Sequence, residues 1–185
     1  MIIICDMDDV LINLKDVWVE FLNKKYKLNV DSNNIKQFDM KISFPDLTPK
    51  EIYYPLTTEF IWTQVRPLDG AVKFTKKLIE EGYDFYIATA TDYRNIKYKV
   101  EQVLKVYFPF FNLDNLICIK DKSLLKGDIR IDDALHNLVN CKDNSLKLLL
   151  DNSHNRNLSE EDYRKNRIYR VYTWHQIYNI LSELS

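Results

Sequence analysis

Short apolar runs alternate with longer amphipathic stretches along most of the chain, and this alternation limits the fold more than any other feature. Each run is three to five residues long; three are apolar throughout, and the other three each contain one basic residue. The runs cover residues 2–5, 85–88, 116–119, 129–131, 146–150 and 168–172. Strands that are buried on both faces of a parallel sheet have this pattern. The stretches between the runs predict helices, over 70–81, 92–107, 134–141 and 174–184. Gly82 closes the first of these helices, in the position that favours a left-handed cap. We therefore expect an α/β fold with a doubly wound, mostly parallel, Rossmann-like sheet.

Residues 14–67 interrupt the alternation because they contain no convincing buried strand. Apolar residues recur at helical spacing from Leu14 to Leu22. Thr48 and Glu51 can form a capping box at the start of another helix. We expect a small helical cap at 14–67, inserted after the first strand into a core formed by 1–13 and 68–185. Ligands bind at the carboxyl ends of strands in open α/β sheets, so such a cap could act as a lid.

Composition excludes several classes of protein. The 185 residues suffice for one full-sized core, and the net charge of -1 gives no basic field that would attract a nucleic acid polymer or acidic lipid. The three cysteines are scattered without metal-ligand spacing, which favours a reduced, cytoplasmic location. The first apolar run is far shorter than the ~20 residues of a membrane span, so we expect no membrane segment.

Polar side chains stand at the carboxyl ends of four predicted strands, and a parallel sheet brings these ends to one edge. They are Asp6, Asp8, Asp9, Thr89, Lys122, Asp132 and Asp133. Crowded carboxylates raise one another's pKa values, and a hard divalent cation such as Mg²⁺ relieves the repulsion. A lysine and a threonine beside the start of a helix near Asp92 suit a phosphate group. The set is what phosphoryl transfer requires, because that reaction depends on positioning and charge neutralisation.

The Asp-x-Asp spacing divides the chemistry between two carboxylates. Residues i and i+2 of an extended segment point the same way. Asp6 can therefore attack phosphorus while Asp8 protonates the leaving oxygen and later deprotonates water. Each of these residues alone is more often a turn, a helix cap or a surface group. Their joint occurrence, in this order and at strand ends, favours the catalytic interpretation.

The same segments resemble the four motifs of the haloacid dehalogenase-like phosphatases, and most closely those of the 5'(3')-deoxyribonucleotidase family. The segments are Asp6-Met7-Asp8-Asp9-Val10-Leu11, Tyr86-Ile87-Ala88-Thr89, Asp121-Lys122-Ser123 and Ile131-Asp132-Asp133. The resemblance covers nearly the whole chain. It implies removal of a 5' or 3' phosphate from a nucleoside monophosphate, with Mg²⁺ as the cofactor.

The resemblance also implies roles for single residues around the metal. Asp6 matches the nucleophile and a metal ligand. Asp8 matches the general acid/base, whose backbone carbonyl also binds the metal. Asp133 matches the third ligand, with Asp132 in support.

Further matches concern the phosphate. Thr89 and Lys122 match phosphate-binding residues, and Ala90 occupies the phosphate-binding position next to Thr89. A second lysine of the family matches either Lys97 or Lys99.

The sequence departs from the family pattern at three positions. Asp9 replaces a glycine that eases a tight turn, Ala90 replaces a serine, and Leu14 replaces a base-stacking phenylalanine. Arg66 either reaches the site or is a surface hinge residue. Other aromatic residues of the cap could stack on a base, namely Trp18, Phe38, Phe44, Phe60 and Trp62.

Several alternatives stay open at this stage. A phosphatase that acts on a sugar phosphate or another small metabolite would share the motifs, which contact only the phosphate. A receiver-type signalling domain is less consistent, since 45–57 lacks the strand that would carry its phosphorylated aspartate, and Ser123 rather than proline follows Lys122. A catalytically silent scaffold would be expected to lack part of the motif set, and none is missing. The preferred base, sugar and ester position, and a possible homodimer, are not determined by the sequence.

Overall fold

A computed structural model describes residues 1–157 and 160–184. Across these residues, six parallel strands form one sheet in the order β3-β2-β1-β4-β5-β6. The strands are β1 Ile2–Cys5, β2 Asp84–Thr89, β3 Leu116–Cys118, β4 Ile129–Asp132, β5 Leu146–Leu150 and β6 Ile168–Val171. The α/β fold with a parallel sheet that the alternation predicts is thereby confirmed.

Burial differs between the centre and the edges of the sheet. All four residues of β4 are buried, and β1 and β5 are buried apart from their first residues. At the edges, Cys118 of β3 and Tyr169 of β6 are exposed. The expectation of burial on both faces therefore holds for the central strands and is wrong at the edges, where fewer elements cover the sheet.

Helices cover the sheet and make up the segment between β1 and β2. They are α1 Leu14–Tyr26, α2 Met40–Ser43, α3 Pro49–Tyr53, α4 Glu59–Gln64, α5 Ala71–Glu80, α6 Ile96–Tyr98, α7 Lys105–Tyr107, α8 Leu135–Val139, α9 Glu160–Asn166 and α10 Trp174–Ser182. A π-helical stretch, Lys99–Leu104, joins α6 to α7. Gly82 follows α5 with a φ of 88°, as predicted. The predicted helix start at Asp92 is wrong, because residues 92–95 form a turn and the helix begins at Ile96. None of the helices in the described part of the chain is long and apolar enough to cross a membrane.

Residues 14–67 form helices and contain no strand. Thr48 and Glu51 make the predicted capping box at the start of α3. The segment has a hydrophobic cluster separate from the main core, and the buried Trp18 donates its indole N–H to the carbonyl of Ile52 at 2.7 Å. Part of 14–67 therefore packs on itself, whereas its two ends, including Leu14, Ile61 and Trp62, belong to the main core.

Candidate active site

The order of the strands places a crevice between the ends of β1 and β4. The chain moves outward from β1 in one direction through β2 and β3, and in the other through β4, β5 and β6. Such a reversal opens a binding crevice at the carboxyl ends of the strands. Asp6 directly follows β1, and its backbone N–H donates to the carbonyl of Ile131 in β4 at 2.9 Å. Asp132 ends β4 and Asp133 follows it, so all three carboxylates meet at this crevice.

Asp6, Asp132 and Asp133 form a compact group of buried carboxylates. Each offers one oxygen, and these oxygens lie within 4.8 Å of one another. The pKa of Asp6 is raised to about 7, first by burial and then by the charges of Asp132 and Asp8, while Lys122 acts to lower it. The pKa of Asp133 is raised well above its usual range, first by burial and then by neighbouring aspartates. The group therefore favours either bound protons or a bound cation.

Lys122 supplies the positive charge nearest to this group. Its ammonium lies 2.7 Å from Oδ1 of Asp6 and 2.8 Å from Oδ2 of Asp132, and the residue is only 4% exposed. Burial acts to lower its pKa, but the two carboxylates outweigh burial and raise it. Lys122 is therefore charged. It faces the cavity described below, where an anion could approach it.

A second lysine, Lys99, binds the other predicted catalytic carboxylate. Its ammonium donates to Oδ2 of Asp8 and to Oγ1 of Thr89, both at 2.6 Å, and lies 5.2 Å from the centre of the Trp62 ring. Lys99 is 1% exposed, whereas Lys97 is on the surface. The structure thus places Lys99, and not Lys97, in the site.

Asp8 and Thr89 are the residues at the sheet edge that contact Lys99 of the π-helical stretch. Oδ1 of Asp8 is buried and has no hydrogen-bond partner among the described residues, although Oδ2 is bound. Thr89 is fully buried at the end of β2. Ala90, the next residue, is exposed and lines the cavity. An unpartnered buried oxygen indicates that something else completes this site.

The donor set fits a hard divalent cation. Every candidate ligand is a carboxylate oxygen, which Mg²⁺ and Ca²⁺ prefer, whereas no histidine or cysteine joins the cluster among the described residues. The raised pKa values of Asp6 and Asp133 show that the pocket lacks enough positive charge for all of its carboxylates. A divalent cation at the cluster would supply that charge.

Asp9 occupies a strained position in the turn after β1. Its φ is 56°, in the left-handed region that glycine adopts without cost. Its carboxylate accepts the backbone N–H of Lys15 at 2.9 Å, in the first turn of α1. Burial of the carboxyl raises its pKa to about 7. Asp9 therefore holds a backbone conformation that the glycine it replaces would adopt more easily.

The loop after β5 contacts Asp133 through three side chains that are not among the predicted site residues. Asn152 donates to Oδ2 of Asp133 at 3.0 Å, Asn155 donates to its backbone carbonyl at 2.8 Å, and Nε2 of His154 lies 3.1 Å from the same carbonyl. Burial lowers the pKa of His154 to about 4, so its ring is neutral at pH 7. The rule that located the other residues would have found this loop, because it follows the carboxyl end of a central strand.

Arg130 is a buried cation within β4, inside a run that was counted as apolar. Its guanidinium donates to the backbone carbonyls of Lys122 and Leu125 and pairs with Asp143. These contacts fix the turn that carries Lys122. Arg130 therefore supports the site from beneath without facing the cavity.

A cavity of about 680 Å³ opens between the sheet edge and residues 14–67. Asp6, Asp8, Lys122 and Asp133 line it together with Leu14, Trp18 and Phe38 of residues 14–67. Phe38 is 61% exposed. The other aromatic candidates do not line this cavity: Phe44 and Trp62 are buried in hydrophobic clusters and Phe60 is on the surface.

Arg66, for which two alternatives were open, and the predicted helix start at Asp92 do not contribute to the site in this structure. Arg66 is exposed and donates to the carbonyls of Thr63 and Val65 instead of reaching the cavity. Asp92 does not start a helix, and its carboxylate forms a two-point ion pair with Arg94 at the cavity rim. The Arg94 side chain holds the pKa of Asp92 at about 2.

Solved structures with the same fold are haloacid dehalogenase-like hydrolases. One such hydrolase, from Streptococcus pneumoniae, superposes with a TM-score of 0.66 at 13% identity, over 100% of this chain and 98% of the other. A second, from Deinococcus radiodurans, was solved with bound phosphate and sodium and gives a TM-score of 0.60 at 13% identity, over 98% and 94% of the two chains. The chain therefore has the haloacid dehalogenase-like fold.

Sequence comparison defines the family more closely. The model of the family described as "5' nucleotidase, deoxy (Pyrimidine), cytosolic type C protein" matches residues 1–184. The chain is 30% identical over 177 residues to a 5'(3')-deoxyribonucleotidase of Bacillus subtilis, which covers 95% of each chain. It is also 30% identical over 174 residues to one of Clostridium acetobutylicum, covering 92% of this chain and 89% of the other. The chain belongs to this 5'-nucleotidase family and is a phosphatase.

Proposed function

We propose that the protein is a Mg²⁺-dependent 5'(3')-deoxyribonucleotidase that acts through an aspartyl-phosphate. One observation carries the proposal. The carboxylates of Asp6, Asp132 and Asp133 converge within 4.8 Å beside the Lys122 ammonium. Asp6, Asp133 and Lys122 also line a cavity large enough for a nucleotide. The family match and the named relatives support the nucleotide as substrate.

The contacts of Asp6 suit it to attack phosphorus. Its Oδ1 accepts the backbone N–H of Met7 at 2.7 Å and the Lys122 ammonium at 2.7 Å. Oδ2 makes no hydrogen bond with the described residues, so it is the oxygen available for the attack or for a cation. The attack forms a bond between Oδ2 of Asp6 and phosphorus, which makes an acyl phosphate, and breaks the bond between phosphorus and the leaving oxygen.

Asp8 supplies and later removes a proton. Asp8 lines the cavity and delivers the proton to the leaving sugar oxygen, while Lys99 holds the carboxylate in place through Oδ2. The deprotonated Asp8 then takes a proton from the water that cleaves the aspartyl-phosphate, which releases inorganic phosphate. Thr89 and Lys122 are proposed to bind the phosphate oxygens. Asp6, Asp133 and the carbonyl of Asp8 would hold Mg²⁺, which neutralises charge on the transferred group when bound.

Residues 14–67 are proposed to form a cap over the core of 1–13 and 68–185. They have their own hydrophobic cluster, and they supply one wall of the cavity. Phe38 is the aromatic residue of this wall best placed to stack on a base, since its ring is largely exposed. Closure of this wall would exclude water from the reacting phosphate.

A panel of phosphate monoesters tests the function. Deoxyribonucleoside 5'- and 3'-monophosphates and several sugar phosphates are compared by kcat/KM with Mg²⁺ and with excess chelator. We expect the nucleotides to be the best substrates and the chelator to abolish turnover. A sugar phosphate that is hydrolysed tenfold better would contradict the nucleotide assignment and leave the phosphatase assignment intact.

The covalent intermediate is tested by substrate that carries labelled phosphate. Acid quenching during turnover should trap label on the wild-type protein, and alkali should release it. Asp6→Asn should carry no label and hydrolyse no substrate, whereas Asp114→Asn, in an exposed turn before β3, should behave like wild type. Unchanged turnover in Asp6→Asn would reject the mechanism.

A further inference from the structure

We propose that Lys15 and Asn152 are positioning residues that act in series to hold the Asp133 carboxylate in place for a divalent cation. The inference rests on the proposed function of the same site. Lys15 lies in the first turn of α1, within residues 14–67, and Asn152 follows β5. The Lys15 ammonium donates to Oδ1 of Asn152, and Nδ2 of Asn152 donates to Oδ2 of Asp133 at 3.0 Å. One amide thus links a lysine of the proposed cap to a proposed metal ligand.

The direction of the Asn152 amide follows from the chemistry of its neighbours. An ammonium can only donate hydrogen bonds, and an ionised carboxylate can only accept them. The amide oxygen must therefore face Lys15, and the NH₂ group must face Asp133. The backbone N–H of Ser153 donates to the same amide oxygen at 2.8 Å and reinforces this orientation. With the amide reversed, its oxygen would face the Asp133 carboxylate and repel it.

The Lys15 ammonium contacts the loop after β5 rather than an acidic side chain. It forms no ion pair with the described residues, and its ammonium also donates to Oγ of Ser153 at 2.8 Å. The Ser153 hydroxyl in turn donates to the backbone carbonyl of Ser32 at 3.0 Å, a second link to residues 14–67. Because the Lys15 ammonium binds the amide oxygen of Asn152, it also polarises the amide and strengthens its N–H donors.

The expected effect is on cation affinity more than on folding. Groups that orient a metal ligand typically change metal affinity by about 10-fold to 100-fold. Asp133 is 3% exposed, so no water can easily replace a lost amide donor. If Lys15 acts through Asn152, its removal matters only while the amide is present. Loss of both residues should then cost no more than loss of Asn152 alone.

The test is a double-mutant cycle that measures the Kd of Mn²⁺, followed by electron paramagnetic resonance of the free ion, without substrate. Lys15→Met and Asn152→Ala should each weaken Mn²⁺ binding, by about 10-fold or more for Asn152→Ala. The double variant should match Asn152→Ala within about twofold. Lys24→Met, an exposed position on the same helix, is the matched control and should bind Mn²⁺ like wild type. Thermal melts in chelator identify any variant that is not folded, and Asn152→Ser then replaces it in the cycle.

Three results would overturn the inference. The first is an unchanged Mn²⁺ Kd in Asn152→Ala. The second is additive losses in the double variant, which would mean that Lys15 acts directly on the site. The third is a Lys15→Met variant with normal Mn²⁺ affinity but a raised KM, which would make Lys15 a substrate-binding residue. None of these results contradicts the proposed function as long as the wild-type protein hydrolyses nucleotides. A wild-type protein that shows neither Mn²⁺ binding nor phosphatase activity would contradict both proposals.

Discussion

Replacement of the proposed nucleophile should stabilise the metal-free protein while it abolishes catalysis. Asp6 is buried between β1 and β4. When its carboxyl is ionised and no metal ion is bound, it raises the free energy of the folded state. Asp6→Asn keeps the shape of the side chain and an oxygen that can accept the Met7 N–H. It removes the charge that burial and the neighbouring aspartates disfavour. The variant therefore imitates the protonated side chain at every pH.

The size of the effect follows from the pKa of Asp6. A rise from 3.8 to about 7 corresponds to about 4 kcal/mol of folding free energy, because each tenfold change in proton affinity is worth about 1.4 kcal/mol. This figure already includes the favourable pair with Lys122, which acts to lower the pKa of Asp6. For a chain of this length, 1 kcal/mol shifts Tm by about 2–4 °C. Asp6→Asn should therefore melt roughly 8–16 °C higher than wild type when the full effect is present.

The pH dependence has a definite sign. The pKa of Asp6 is higher in the folded state than in the unfolded state, so protonated Asp6 stabilises the fold at low pH. That contribution is complete below about pH 4 and is lost as the pH rises through about 7. Differential scanning calorimetry in chelator should show nearly equal Tm values for wild type and variant at pH 4. The gap should reach its maximum by pH 8.

A surface aspartate provides the control for this experiment. Asp84→Asn, at the exposed first position of β2, should give a Tm difference that does not change with pH. Saturating Mg²⁺ should raise the Tm of wild type and close most of the gap to Asp6→Asn at pH 8. A gap that stays constant from pH 4 to pH 8, or an Asp6→Asn variant that melts lower at pH 8, would refute the reasoning.

Three further predictions concern neighbouring residues. Lys99→Met should lower kcat by about 10²-fold because it releases Asp8, whereas Lys97→Met should match wild type; equal effects in a steady-state assay would reject this assignment. Asp9→Gly should raise the Tm, because it removes a strained φ, and the rise should be larger at pH 8 than at pH 5, because the Asp9 carboxyl with its pKa of about 7 is charged only at the higher pH. Calorimetry in chelator checks this, and a lower Tm in the variant would mean that the lost bond to the Lys15 N–H matters more. Phe38→Ala should raise the KM for nucleotides by roughly tenfold while the KM for a phosphate ester without a base, and the Tm, stay unchanged.

Local features of the fold were predictable because neighbouring residues encode them. The short apolar runs identified all six strands. The Thr48–Glu51 capping box indicated a helix start, and Gly82 indicated a helix end. The prediction of a helix start at Asp92 was wrong because Asp92 binds Arg94 and stabilises a turn instead. That competition between a turn and a helix depends on one side-chain pair and leaves no periodic pattern.

The sequence by itself determined the parallel sheet and the set of carboxylates at its edge, because strand periodicity is local and parallel strands must end together. Only the tertiary structure decided between Lys97 and Lys99, which lie two positions apart on a helix and therefore face roughly opposite directions. It alone brought Lys15 to Asn152, 137 residues further along the chain. Such a contact depends on how residues 14–67 pack against the loop after β5, and no pattern within either segment contains that information.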